Sequence, residues 1–203
     1  MPRRTKAEAE ATRESLLDAA EALFYEKGVA RTSLEQIARR AGMTRGAVYW
    51  HFKNKADLFH ALLERVRLPF EDLARAIEAT HDNPSPLECI RLACHESFAR
   101  LQEPRYQRIH SILIHRCEFF SDIDPLEMQR QMKRDCLESM LDSFREAKRC
   151  GQLKASLSPE MAADMLQCCI GGLFHDWLRD PEELPIDKRG TVVVDTLLDL
   201  MRP

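Results

Sequence analysis

The sequence predicts an all-α protein of nine helices, three in an N-terminal head and six in a larger C-terminal body. Two observations carry that prediction. Apolar residues recur at three- and four-residue intervals along most of the chain, as in helices with one buried face. Strand signals are nearly absent: Val192–Val194 is a short β-branched run, and it sits inside a helical pattern.

The head is read first. Leu16, Leu17, Ala20, Leu23 and Phe24 give the first helix its apolar face. Thr32 with Glu35 has the spacing of a capping box that opens a second helix, on which Leu34, Ile37, Ala38 and Ala41 share a face. Gly42 closes it in a left-handed conformation. Thr44 caps a third helix, Arg45 to His51, and Asn54 with Asp57 repeats the capping-box spacing at the next helix start. Residues 33–52 therefore read as a helix-turn-helix. Ala47 and Val48 face inward, which leaves Arg45, Tyr49, Trp50 and His51 on other faces. Short, cationic and aromatic side chains on so short a helix suit the major groove of DNA. Gly46, a poor helix former, lets the backbone approach phosphate closely.

The body follows as helix after helix. One long helix is expected from Lys55 into the high 70s, closing at the polar segment 80–85. Ser85, Pro86 and Glu88 supply cap, first-turn proline and capping acid for the next. Pro104 opens another, and Asp124–Pro125 starts a long one that ends near Gly151. Ser158, Pro159 and Glu160 begin a helix running to about Arg179, and the last is expected from about Asp187 to Met201.

Charge separates the two parts. Between Lys27 and Lys55 there are seven basic residues and one acid, Glu35, and the first six residues add Arg3, Arg4 and Lys6. From residue 61 onward the chain has 19 basic and 25 acidic residues, so the overall net charge of −3 conceals a basic head on an acidic body. One end is suited to phosphate and the other is not.

Composition excludes several classes. Hydrophobic content of 44% with 31% charged residues fits a globular protein with a substantial core. No run of 18 apolar residues and no apolar leader is present, so a cytoplasmic protein without a membrane partner is expected. Seven cysteines lie at 89, 94, 117, 136, 150, 168 and 169 without a CxxC pair, which argues against a disulfide framework or a zinc ribbon. No metal or cofactor is expected. Catalysis is not expected either: there is no nucleophile elbow or phosphate-cradling glycine loop, and the HDWLRD segment at 175–180 lacks an evident nucleophile.

The stretch from about Thr12 to Leu62 resembles the DNA-binding domain of the TetR family of transcriptional repressors. The resemblance rests on the turn glycine, the capped recognition helix, the Tyr-x-His-Phe run at 49–52 and Lys55 occurring together and in order. The opening RRTKAEAEATR and the later SILIHRCEF are similar to the AcrR-like and TtgR-like subgroup, which represses multidrug efflux pumps. The family implies a nine-helix fold: an arm and DNA-binding domain over 1–54, and a ligand-binding and dimerisation domain over 55–203. It also implies a homodimer through the last two helices. Met161, Met165, Cys168, Cys169, Gly172, Leu173, Phe174 and Trp177, then Val193, Leu197, Leu198 and Met201, make both apolar on more than one side.

The expected function is a ligand-responsive repressor on a palindromic double-stranded operator. Thr44, Arg45 and Gly46 would meet base edges. Tyr49, His51 and Lys55, with help from Thr32 and with Trp50 beside them, would meet the backbone, and Arg3, Arg4 and Lys6 would reach along it or into the minor groove. Met128, Met132, Cys136 and Met140 form a drifting sulfur stripe that reads either as core or as an adaptable lining for a small apolar or amphipathic inducer. Positions matching the lining in the resembled subgroup are Cys94, Ser97, His110, Ile114, Cys136, Met140, Gln167, Ile170 and His175. Arg67 and Ile114 depart from what related repressors often carry there, so ligand preference does not transfer. The alternative is a DNA-binding regulator without a small ligand, controlled by cysteine oxidation or a protein partner.

Overall fold

A computed structural model describes residues 6–119 and 123–203. Its elements are α1 (Lys6–Lys27), α2 (Leu34–Arg40), α3 (Arg45–His51), α4 (Lys55–Glu64), α5 (Phe70–Thr80), α6 (Pro86–Leu101), α7 (Pro104–His115), α8 (Pro125–Arg149), α9 (Pro159–Arg179) and α10 (Thr191–Met201). A single π turn, Ile186–Gly190, leads into α10. Among the described residues there is no strand, and no helix is long and apolar enough to cross a membrane.

The count differs from the expected nine because the long helix from Lys55 is broken. The chain leaves α4 after Glu64 and restarts at Phe70, with Pro69 at the cap of α5. Proline has no N–H for the helical ladder and disfavours the helical region for the residue before it, so α4 and α5 cannot be continuous. The last helix also starts differently, through a π turn. A Cβ on Gly190 would stand 2.9 Å from Ile186 Cγ1 and 3.2 Å from Phe98 Cε2, so any larger residue there would have to displace those side chains.

The chain folds as two compact units. One comprises the chain up to Arg67 together with Arg108–Glu127; the other comprises Leu68–Gln107 with Met128–Pro203. The first therefore extends beyond the expected limit at residue 54. Helix α4 packs on α1, with the Phe24 and Phe59 rings edge to face at 5.8 Å. Leu16, Leu17, Ile37, Val48, Leu58 and Leu62 complete that core. Helix α1 ends at Gly28, whose φ of +85° is left-handed, and a Cβ there would meet the Arg116 carbonyl at 3.3 Å.

In the second unit, Leu73 and Ile77 of α5, Ile90 and Phe98 of α6, Phe144 of α8, Leu166 and Trp177 of α9, and Leu198 of α10 are buried. Arg91 ties α6 to α10 through Asp195 at 3.2 Å and Asp199 at 2.6 Å. The Lys148 ammonium donates to the carbonyls of Lys154, Ala155 and Leu157, which fixes the turn between α8 and α9.

Candidate nucleic-acid interface

The α2–α3 hairpin is held by local caps that its sequence dictates. Ser33, not Thr32, caps α2: its hydroxyl accepts from Gln36 N at 3.2 Å, and the Gln36 side chain accepts from Ser33 N at 2.8 Å. Thr32 is buried instead and donates its hydroxyl to the Gly28 carbonyl at 2.8 Å. The capping box is thus one residue later than its expected Thr32–Glu35 register, because the Thr32 side chain is drawn to the end of α1. Gly42 has the expected left-handed φ, +67°. Thr44 accepts from Ala47 N at 3.3 Å, and Asn54 accepts from Asp57 N at 2.7 Å.

These caps present α3 with a defined outer face. Val48 is wholly buried, while Arg45, Gly46, Tyr49 and Trp50 are exposed, Trp50 to 72%. Arg45 lies over the Tyr49 ring, with its guanidinium carbon 5.3 Å from the centroid and Nη2 donating to the phenol oxygen at 3.4 Å. The His51 ring meets Trp50 edge-on at 4.5 Å between centroids. Behind the helix, Arg13 of α1 covers the buried Phe52 ring at 5.5 Å.

An open depression of about 510 Å³ adjoins this face and is lined by Arg31, Ser33, Gln36, Arg39, Met43 and Arg45, among others. Sequence reasoning counted Arg31 and Arg39 as local charge without giving them a site. Their convergence with Arg45 depends on the α2–α3 fold and has no spacing signature. Arg40 faces elsewhere, in a paired fork with Glu26 at 2.9 and 3.2 Å.

Lys55, expected to grip phosphate, is engaged within the head. Its ammonium donates to the carbonyls of Val29, Thr32 and Ala30 at 2.8, 3.0 and 3.3 Å, tying the start of α4 to the loop before α2. Partial burial lowers its pKa. Lys6 is exposed at the start of α1, and Arg3 and Arg4 lie outside the described residues.

The candidate inducer contacts fall in both units. In the second, Cys94, Met140 and Gln167 are buried, and Ser97, Cys136 and Ile170 are half-buried. The Gln167 Oε1 is buried without a hydrogen-bond partner. His175, expected in the lining, is exposed on α9, as are Cys168, Gly171 and Gly172. In the first unit, His110 is buried and Ile114 half-buried, both on α7. Burial lowers the His110 pKa to about 4, so its ring is neutral near pH 7. Burial also raises the thiols: Cys136 to about 11, and Cys94 further, helped by neighbouring Cys136, Cys169 and Asp195. Cys117 reaches about 11 by burial, partly opposed by the Lys55 charge. Among the described residues no cluster of His, Cys, Asp or Glu could hold a metal ion.

Comparison with known proteins agrees with this head and body. The family model described as "Bacterial regulatory proteins, tetR family" matches residues 16–62, and that described as "MAATS-type transcriptional repressor, C-terminal region" matches residues 86–203. The chain belongs to the TetR family. That is a family of transcriptional regulators, not of enzymes. The chain is 43% identical to the HTH-type transcriptional regulator TtgR of Pseudomonas putida over 206 residues, covering 100% of this chain and 97% of that protein. Among solved structures it is similar to NalD, the secondary repressor of the MexAB-OprM multidrug efflux pump in Pseudomonas aeruginosa. The TM-score is 0.83 and the identity 38%, covering 97% of this chain and 98% of NalD. It is equally similar to SmeT in complex with triclosan, at TM-score 0.83 and 39% identity over 95% and 92% of the two chains. SmeT is the repressor of the Stenotrophomonas maltophilia efflux pump SmeDEF. This TetR-family chain thus shares its architecture with repressors of multidrug efflux pumps along nearly its whole length.

Proposed function

We propose that the chain is a dimeric, ligand-responsive repressor of a multidrug efflux pump in the cytoplasm. It binds a palindromic operator and is released by an apolar or amphipathic small molecule. The observation that carries the DNA reading is the outer face of α3, where Arg45 is exposed beside exposed Tyr49 and Trp50 on a capped helix. Thr44, Arg45 and Gly46 are assigned to base edges, and Tyr49, Trp50 and His51 to the sugar-phosphate wall. Arg31 and Arg39 extend the cationic track, and Arg3, Arg4 and Lys6 follow the backbone or the minor groove.

A seven-residue reading helix contacts too few base pairs to find one site in a genome, so two copies are required. The exposed apolar residues Met161 and Met165 on α9 and Val192 and Leu200 on α10 are assigned to the partner contact. The repressors named above, and triclosan on one of them, support the pump and inducer assignments. Release requires the inducer to bind the non-DNA-binding arrangement more tightly than the other. Control by oxidation would have to act through the exposed Cys150 or Cys168, because burial raises Cys89, Cys94, Cys117, Cys136 and Cys169 away from the reactive thiolate.

The test is fluorescence anisotropy with the DNA flanking the protein's own gene, titrated with salt and then challenged with antibiotics, dyes, bile salts and triclosan. Palindrome-dependent binding that a compound reverses supports the whole reading. Binding that no compound reverses retains the DNA reading and removes the inducer. Binding no tighter than to random DNA overturns both.

A further inference from the structure

Arg45 is the first residue of α3 and is exposed, so the core does not fix its long side chain. Its neighbours on the helix leave few ways to hold it. Gly46 carries no side chain, Val48 is buried, and Trp50 meets His51 edge-on. Tyr49, four residues on, shares the Arg45 face and is 47% exposed.

Tyr49 holds Arg45 in two ways. The guanidinium carbon stands 5.3 Å from the ring centroid, within cation–π reach, and Nη2 donates to the phenol oxygen at 3.4 Å. A hydrogen bond of that length is weak, so the stack over the ring is the main restraint. Glu35 of α2 acts on the same guanidinium only through its charge, at longer range.

This restraint bears on base reading. A free arginine gives up its rotamer freedom when it meets a base edge, and one already held on the outer face of α3 has less to give up. The phenol oxygen accepts from Arg45, which leaves its own O–H to donate to a phosphate. One side chain can therefore meet the backbone and orient the base reader together.

We propose that Tyr49 is a positioning residue for sequence reading, holding Arg45 in its base-reading orientation as well as meeting the backbone. The proposal rests on the DNA reading above and concerns its specificity.

The test is a double-mutant cycle on Tyr49→Leu and Arg45→Ala, with Tyr49→Phe as the variant that keeps the ring. Affinities for palindromic operator and for random DNA are measured by anisotropy at one fixed salt concentration, because phosphate contacts make both salt-dependent. Both side chains are exposed, so none of these changes empties the core. Tyr49→Leu loses a phosphate contact on either DNA. On operator it should lose about a further 2- to 5-fold, the size of an exposed cation–π contact. Tyr49→Phe keeps the stack, so its losses on the two DNAs should agree within about twofold. In the Arg45→Ala background the extra operator loss of Tyr49→Leu should vanish.

Equal losses on both DNAs in Tyr49→Leu would overturn the proposal and leave Tyr49 a backbone contact alone. An extra operator loss that persists in Arg45→Ala would overturn it too. So would tighter operator binding by Tyr49→Leu, because the stack would then be holding Arg45 back from the bases. In all three cases a wild type that prefers operator keeps the DNA reading, whereas a wild type without that preference overturns both.

Discussion

The Lys55 ammonium donates to the Val29 carbonyl at 2.8 Å, joining the first residue of α4 to the loop behind α1 across 26 positions of sequence. Carbonyls of Ala30 and Thr32 complete the contact. Lys55→Met keeps the stem and leaves these carbonyls without their charged donor, which should cost about 2 kcal/mol of head stability. A phosphate contact would instead lower the slope of log affinity against log salt by about 0.9. The expected outcome is a lower melting temperature and weaker operator binding with the salt slope unchanged. An unchanged melt with a smaller slope would return Lys55 to the DNA.

Arg45 tests the other side of the head. Its guanidinium lies over Tyr49 on an exposed surface, so the fold does not depend on it. Arg45→Ala should weaken operator binding by about 1–3 kcal/mol, the range of one base-reading side chain, and weaken random DNA much less. Competition anisotropy with both DNAs reads the difference. Equal losses on the two would assign Arg45 to the backbone.

His110 makes stability depend on acid. Its pKa is lowered from 6.5 to about 4 by burial, so the unfolded chain takes up a proton in this window and the folded chain does not. Stability is therefore fully present above pH 6.5, declines as pH falls towards 4, and loses up to about 3 kcal/mol from this residue. Denaturant titrations at pH 7.0 and 4.5 should show a smaller acid loss in His110→Gln than in wild type. An identical loss in the two proteins would place the acid sensitivity elsewhere.

The head was legible because its signals are local. Gly42, Thr44 and Asn54 each act within four residues, and all three do what their spacing predicts. The partners of Thr32 and Lys55, the Gly28 carbonyl and the Val29 loop, had no signal in the sequence because they are set by tertiary packing that leaves no periodic trace. The long helix from Lys55 was expected to close only at the polar segment 80–85, whereas Pro69 stands at the cap of a separate α5. The pair of buried Glu21 with Arg108, at 2.7 Å, left no trace for the same reason, since the two are 87 positions apart.

Gly172 offers the cleanest test of the partner surface. It lies inside α9 and is exposed, and a Cβ built on it meets nothing within 4 Å. Gly172→Leu therefore fits the single chain without a clash, and replacing a mid-helix glycine should stabilise α9 by up to about 1 kcal/mol. Only a second chain packed against this face would object to the added side chain. If α9 forms the dimer, sedimentation velocity should show Gly172→Leu shifting from dimer to monomer while circular dichroism keeps its helical signal and the melt does not fall. Palindromic operator binding should drop to the level of a half-site, because one α3 cannot span two grooves. A variant that stays dimeric and keeps its palindrome would move the contact away from α9, leaving the exposed apolar residues of α10, Val192 and Leu200, as the next place to substitute.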